Sequence, residues 1–441
     1  MMRLVSSPTA RKLLTVLSVS LAAILMTPTT AVAADPPAPG NFTGYGFDAC
    51  VAPKQSVMDA WNLTSPYTAI GIYISGNSRY CSDKDQPNLS KAWVAKNAAN
   101  GWRFIPIHVG YQAPCFKNNP KSKVQKKKMS TKVSTARTQG TADADETIAA
   151  LKKYGFGPGS VSYLDIEWYS RTKACDNIVF EFADAWTERL HDAGYTSGLY
   201  SSGSAAIRAV DEARAAKRPD FDLPDHMWIA WTNKIANTAG GPYLSDAGWT
   251  KHQRIHQYEN GVNVSYGGST INIDKNYLDV GTGSVAVKDP RPCDVRMTFP
   301  SYPTLSLGSK GDAVMALQCL LTQRGFPTKI NGTFDASTRT ALEKYRASRK
   351  WVKKSSTTKN LWTALLSQGS NPRVLKQGSV GESVWRLQRA LTAAGLKVTA
   401  NGVYDAKTVS AVKAYRKANK LTEYSTTEAS IWALLLNGKI A

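Results

Sequence analysis

Asp165 and Glu167 stand two residues apart in the stretch Tyr-Leu-Asp-Ile-Glu-Trp-Tyr at 163–169. On a strand, residues i and i+2 share a face, about 6.5–7 Å apart. Both carboxyls therefore point the same way, with Leu164, Ile166 and Trp168 expected on the opposite face, toward helices. Two acids this close have their pKa values driven apart, one ionised and one holding its proton, which suits general acid/base chemistry. An arbitrary Asp-x-Glu is usually surface charge. Here two further acids close apolar runs, Asp48 in Gly-Phe-Asp and Asp274 in Asn-Ile-Asp. Aromatic residues gather at similar positions: Tyr169, Tyr200, Trp231 and Tyr258, the last beside Gln257. Aromatic faces beside carboxylates grip pyranose rings. The constellation points to a carbohydrate cleft, with Glu167, Asp165, Asp48 and Asp274 as catalytic groups and Tyr169, Tyr200, Trp231, Gln257 and Tyr258 as sugar-binding groups. His256 is read as a hydrogen-bonded core residue. Ser201 and Ser202 lack a nucleophile elbow, and no phosphate-cradling glycine loop or His-Glu-x-x-His occurs, so neither a metal nor another cofactor is expected.

The elements that must position these groups lie in residues 41–283. Short strand-like runs occur at 43–49, 67–75, 102–112, 160–169, 196–202, 226–233, 252–259 and 269–278, with amphipathic helical stretches between several of them. Alternating strand and helix units argue for a parallel sheet. Eight strands in about 240 residues argue for an α/β fold of the (β/α)8 barrel type, its last helices incomplete. In such a barrel chemistry sits where strands end, and Asp48, Asp165–Glu167 and Asp274 are read as ending the first, fourth and last strands.

The C-terminal third is a duplication. Residues 305–366 align with 375–436 at a constant offset, without a gap, and 24 of the 62 positions are identical, too many for chance. Val314, Leu317, Leu320 and Leu321 recur at helical spacing, as do Val384, Leu387 and Leu391. Gly325 and Gly395 follow as helix C-caps, then the turns Asn331-Gly332 and Asn401-Gly402, then Asp335 and Asp405 as N-caps. A third short helix buries Trp362 or Trp432. Each copy reads as a small all-α three-helix unit, and a tandem of weak sites gives avidity for a repetitive polymer. Residues 284–304, with four prolines, read as a linker, as do 367–373.

Both copies carry the pattern GSxGxxVxxLQxxL…NGxxDxxTxxAxxxY, which resembles the type 1 peptidoglycan-binding domain. The stretches GFDAC, TARTQGTADAD, YLDIEWY, GLYSS, WIAWT, HQY and NIDKNYLD resemble the glycoside-hydrolase-like domain related to family 25 lysozymes, over most of 43–280. The resemblance implies a TIM-type barrel, with Asp165 and Glu167 matching the lysozyme Asp-x-Glu, whose Glu is the general acid/base. Asp48 and Asp274 match the acids of the first and last strands. On this reading Glu167 protonates the glycosidic oxygen and later activates water, and Asp165 stabilises positive charge on the sugar or its N-acetyl group.

Arg3, Arg11 and Lys12, an apolar run from Leu13 to Met26 and the small residues Ala31-Val32-Ala33 have the layout of a secretory signal peptide, cleaved after residue 33. No later run is expected to anchor the chain in a membrane. Six cysteines without a CxxC pair fit disulfides outside the cytoplasm. Cys293 and Cys319, the two near the repeats, are paired on proximity, while the connectivity of the other four stays open. The formal net charge of +22 favours anionic partners. Residues 117–137 hold seven Lys, one Arg and no acid. They read either as a solvated, mobile loop or as an electrostatic guide beside the cleft, and they resemble an insertion relative to the family pattern. They lack interleaved aromatics, so specific nucleic-acid binding is not expected. The expectation is a monomeric, secreted bacterial protein of a Gram-positive wall that cleaves peptidoglycan glycan, held by its repeats on peptidoglycan and anionic wall polymers. The rivals are a barrel that binds glycan without cutting it and a basic adhesion or nucleic-acid-binding protein.

Overall fold

A computed structural model describes residues 38–441 except Arg373. The expected signal peptide at 1–33 lies outside the described residues. Eight strands close into one barrel in sequence order: β1 (Phe42–Asp48), β2 (Ala69–Ser75), β3 (Arg103–His108), β4 (Val161–Ile166), β5 (Thr196–Ser202), β6 (His226–Ala230), β7 (Gln253–Tyr266) and β8 (Ser269–Val280). Helices α1 (Gln55–Thr64), α2 (Lys91–Ala99), α3 (Val133–Tyr154), α4 (Lys173–Asp192) and α5 (Arg208–Ala215) follow the first five strands.

β1 to β7 pair in parallel, but β8 is antiparallel to both β7 and β1, so the sheet is mixed and not wholly parallel. The cause is local. Gly267 and Gly268, both at positive φ, form a two-residue turn, and so short a link can only return the chain antiparallel. The far part of this hairpin folds along α1 where a barrel helix would pack. The Trp61 indole donates to the Ser269 carbonyl, and Tyr266 meets Trp61 and Tyr67 edge-on.

Strand alternation builds the lumen. Ala69, Ile105, Ile107, Val161, Tyr163, Trp228, Ile255 and Leu278 fill the interior, while Phe47, Ile70, Ile72, Leu164 and Ile166 pack outward on the helices. Carrying the inward alternation one step further reaches Asp48, Tyr73, Asp165, Tyr200 and Gln257, so the polar layer at the barrel mouth continues the core pattern.

The repeats form α6 (Asp312–Gln323), α7 (Ala336–Ser348) and α8 (Lys359–Ser367), then α9 (Glu382–Ala393), α10 (Ala406–Ala418) and α11 (Ala429–Leu436), around one shared core. Asp335 and Asp405 cap α7 and α10 through the backbone N–H of Thr338 and Thr408. A fully buried glutamine centres each copy. Gln318 accepts from the N–H of Asn331 and Gly332 and donates to Asn331, Thr333 and Thr338. Gln388 repeats the set with Asn401, Gly402, Val403 and Thr408.

Residues 284–304 are built in. Val295 and Met297 are buried in the repeat core, Cys293 is disulfide-bonded to Cys319, and Asp289 pairs with Arg389. The second repeat also docks on the barrel, at the rim where β1 begins and α1 ends. Lys376 is buried there, its ammonium donating to the Asn62 side chain at 2.8 Å and to the carbonyls of Asn62 and Tyr67, over the Trp102 ring. A Cβ on Gly378 would lie 2.3 Å from Phe42, whereas Gly308, its counterpart, is open.

Replacing Gln388 with Leu removes the acceptor from the buried N–H of Gly402 and the part-buried N–H of Asn401. The expected cost is about 2–4 kcal/mol of repeat stability, read as a lowered urea midpoint. An unchanged midpoint would show that the glutamine does not hold the fold.

Candidate active site

A cavity of about 200 Å³ opens at the barrel mouth, lined by Asp48, Tyr73, Tyr80, Lys126, Asp165, Glu167, Asn272 and Asp274, with the Cys50–Cys81 disulfide in its wall. All four carboxylates singled out in the sequence therefore meet at one place. They do not arrive alike. Asp48 is the last residue of β1 and Asp165 the penultimate residue of β4, whereas Glu167 lies just beyond β4. Asp274 is mid-strand in β8, paired with Asp48 across the antiparallel ladder, and so reaches the mouth from the other direction instead of ending a strand.

The environments differ as much. Asp48, 2 % exposed, accepts from the Tyr73 hydroxyl at 3.0 Å and the Asn276 amide at 2.7 Å, with the Gln257 amide at 3.3 Å. Asn276 is oriented in turn by the Trp228 indole at 2.8 Å. Burial and then the nearby Asp274 push the Asp48 pKa up to about 7, although these hydrogen bonds pull it down. Gln257 joins the acids: its amide lies 3.3 Å from Asp274 Oδ2 as well, and its oxygen accepts from Tyr200. Burial and, less strongly, Glu167 raise the Asp274 pKa, opposed by the Gly261 N–H at 2.6 Å. Asp165 is also raised well above the ordinary carboxylate range, by burial first and by Glu167 next. Its Oδ1 is buried without a hydrogen-bond partner, so burial favours the protonated form of this cavity-lining carboxyl.

Glu167 is half-buried, with 43 % of its side chain exposed, and the Lys126 ammonium lies 2.8 Å from its Oε1. Lys126 comes from the basic stretch, which runs as a strap beside the cleft with its other six lysines exposed. The Cys115–Cys175 disulfide ties the strap to α4. Buried Gln112 ties it to β4. The Gln112 backbone pairs with Lys127 and Met129, while its side chain donates to the Asp165 carbonyl and accepts from the Glu167 N–H, both at 2.8 Å.

Of the aromatic groups expected to hold sugar, Tyr200 reaches the acids, through Gln257. The others do not line the cavity. Tyr169 is buried with its hydroxyl on Asp176. Trp231 stacks on His256, Tyr258 is buried beside it, and both ring nitrogens of His256 face backbone carbonyls. Trp168 is 55 % exposed and does not pack on helices. Tyr73, Tyr80 and Lys126 are lining residues that the sequence reading left out. Tyr73 was findable, because it continues the inward alternation of Ala69 and Gly71.

Residues 59–278 match the family model of the Rv2525c-like glycoside hydrolase-like domain, and residues 380–423 match that of a peptidoglycan binding domain. Among solved structures, the chain is similar to an uncharacterized B. stearothermophilus protein at 14 % identity and TM-score 0.37, covering 53 % of this chain and 95 % of that one. It is similar to the Tat-secreted protein Rv2525c of Mycobacterium tuberculosis, in complex with L-tartrate, at 13 % and 0.37, covering 54 % and 95 %. It is also similar to a family 25 glycosyl hydrolase from Bacillus anthracis at 16 % and 0.32, covering 54 % and 89 %. No curated protein matches.

The raised Asp48 pKa has a signed consequence. Between pH 4 and 7 folded Asp48 keeps a proton that the unfolded chain has released, so its contribution to stability is full below about 4 and is lost as pH rises through about 7. Asp48→Asn should therefore unfold near the wild-type urea midpoint at pH 4 but be more stable at pH 8, by about 1–3 kcal/mol. A variant less stable than wild type at pH 8 would contradict the assigned direction.

Proposed function

We propose that this chain, an Rv2525c-like glycoside hydrolase-like barrel joined to a peptidoglycan-binding domain, hydrolyses glycosidic bonds in the glycan strands of peptidoglycan. The observation that carries the reading is the meeting of four carboxyl groups in unlike environments at one cavity, with Asp165 buried and Glu167 within reach of solvent. Glu167 protonates the departing glycosidic oxygen and then takes a proton from the attacking water. Positive charge developing on the sugar, or on its 2-acetamido group, favours ionisation of Asp165, which lines the cavity. Asp48 and Asp274, joined through Gln257, hold sugar hydroxyls and shape the field around Asp165.

Both repeats serve as wall anchors in this reading. The first shares the helices, caps and buried glutamine of the second, which is the copy that matches the domain family. Three disulfides and the leader-like N-terminus support work outside the cytoplasm, and among the described residues no helix is long and apolar enough to cross a membrane. We assign the protein to a Gram-positive wall. One observation favours the alternative of a barrel that binds glycan without cutting it: the Lys126 ammonium occupies the Glu167 carboxylate in this state.

Mass spectrometry of peptidoglycan incubated with the purified protein separates the two. New reducing ends are expected from wild type. Glu167→Gln should lower their formation by roughly 10²-fold or more while sedimentation with the wall persists. A variant that works at the wild-type rate would remove Glu167 from the mechanism. Wall binding with no new ends from either protein would establish the binding barrel instead.

A further inference from the structure

Lys126 is the one cation among the described residues that line the carboxylate cavity. Its position is built. The strap that carries it is held by the Cys115–Cys175 disulfide, by the Gln112 backbone, by the N–H of Lys127 on Ser78, and by Asn118, which both donates to and accepts from the Lys126 backbone. None of these contacts uses the ammonium, so the strap keeps its path without it. The ammonium is instead delivered to Glu167, with 19 % of the lysine side chain exposed.

The surrounding charge makes this cation decisive. Asp48, Asp165 and Asp274 line the same cavity and bring no positive charge, so Lys126 is the group there that can pair with an anionic ligand, and Glu167 is its present partner. A neutral sugar offers the ammonium nothing in exchange for Glu167. A sugar with its own carboxylate can replace Glu167 as the partner, conserving one ion pair and releasing the acid.

We propose that Lys126 is a specificity residue that reads a free carboxylate on the glycan, namely the lactyl carboxylate of muramic acid units whose peptide has been removed. This rests on the reading of the barrel as a peptidoglycan-glycan cleft. In peptide-bearing strands that carboxyl is tied up as an amide and carries no charge. The reaction class that supplies the preferred ligand is therefore hydrolysis of the amide between the lactyl group and the stem peptide, and this barrel acts after it, on stripped strands.

Calorimetric titration of the intact chain with two soluble tetrasaccharides of alternating N-acetylglucosamine and N-acetylmuramic acid tests this. One has free lactyl carboxylates, and in the other they are methylamides. Wild type should bind the free acid roughly two- to fivefold more tightly, the range of one partly exposed ion pair. Lys126→Met should bind both alike, and Lys126→Arg should restore the preference, which a loss of strap structure would not allow. A preference that survives in Lys126→Met lies elsewhere, in the repeats for instance, and overturns the proposal. So does a wild-type chain that binds the two equally or binds neither. Selective binding without any cleavage would leave the lysine assignment standing and remove only the catalytic reading.

Discussion

Taking carboxyl groups out of water at the mouth of a barrel is the constraint around which this structure is arranged. A buried carboxylate is costly unless it is paired, hydrogen-bonded or protonated, and all three solutions occur here. Asp48 is hydrogen-bonded by Tyr73, Asn276 and Gln257, and its burial still holds its pKa up. Glu167 is paired with Lys126. Asp165, with an unpartnered buried oxygen, is pushed toward its protonated form by burial and by Glu167. The lumen beneath serves the same end, because Trp228, a packing residue of the interior, donates the hydrogen bond that orients Asn276 toward Asp48. Core and site are one network.

The repeats are a docked extension and not a loose tether. Lys376 shows how this was reached from a duplicated unit. Its counterpart in the first copy is Ser306, and only the second copy sends an ammonium into the barrel. Burial draws the Lys376 pKa down to about 7, while the oxygens of Asn62 and Tyr67 and the face of Trp102 hold the charged form against that trend. The contact lies where β1 begins, and the carboxylates lie where it ends.

Much of this was legible in the sequence, for identifiable reasons. All eight strands could be located because inward and outward residues alternate, and the four acids could be grouped because each extends that alternation. The direction of β8 was not read, although Gly267-Gly268 between two strand-like runs is a hairpin signal. The aromatic groups misled because position near a strand end does not say which face a ring takes. Tyr169 turns inward to Asp176, and Trp231 to His256. The basic stretch shows both features that its composition offered. Six of its seven lysines are exposed, while Lys126 is held at the cavity through Gln112 and Cys115, whose side-chain partners Asp165, Glu167 and Cys175 lie far along the chain. The buried glutamines were visible in the repeated Leu-Gln pair, yet only the structure shows that they close the Asn-Gly turns.

The account depends most on the proton held at the barrel mouth. Carbon-13 carboxyl NMR of the aspartate-labelled chain, with Asp48→Asn and Asp165→Asn to assign the signals, measures it directly. Asp165 should titrate well above the ordinary carboxylate range, and Asp48 near 7. Ordinary titration of both near pH 4 would show a hydrated, fully ionised cluster and contradict the account.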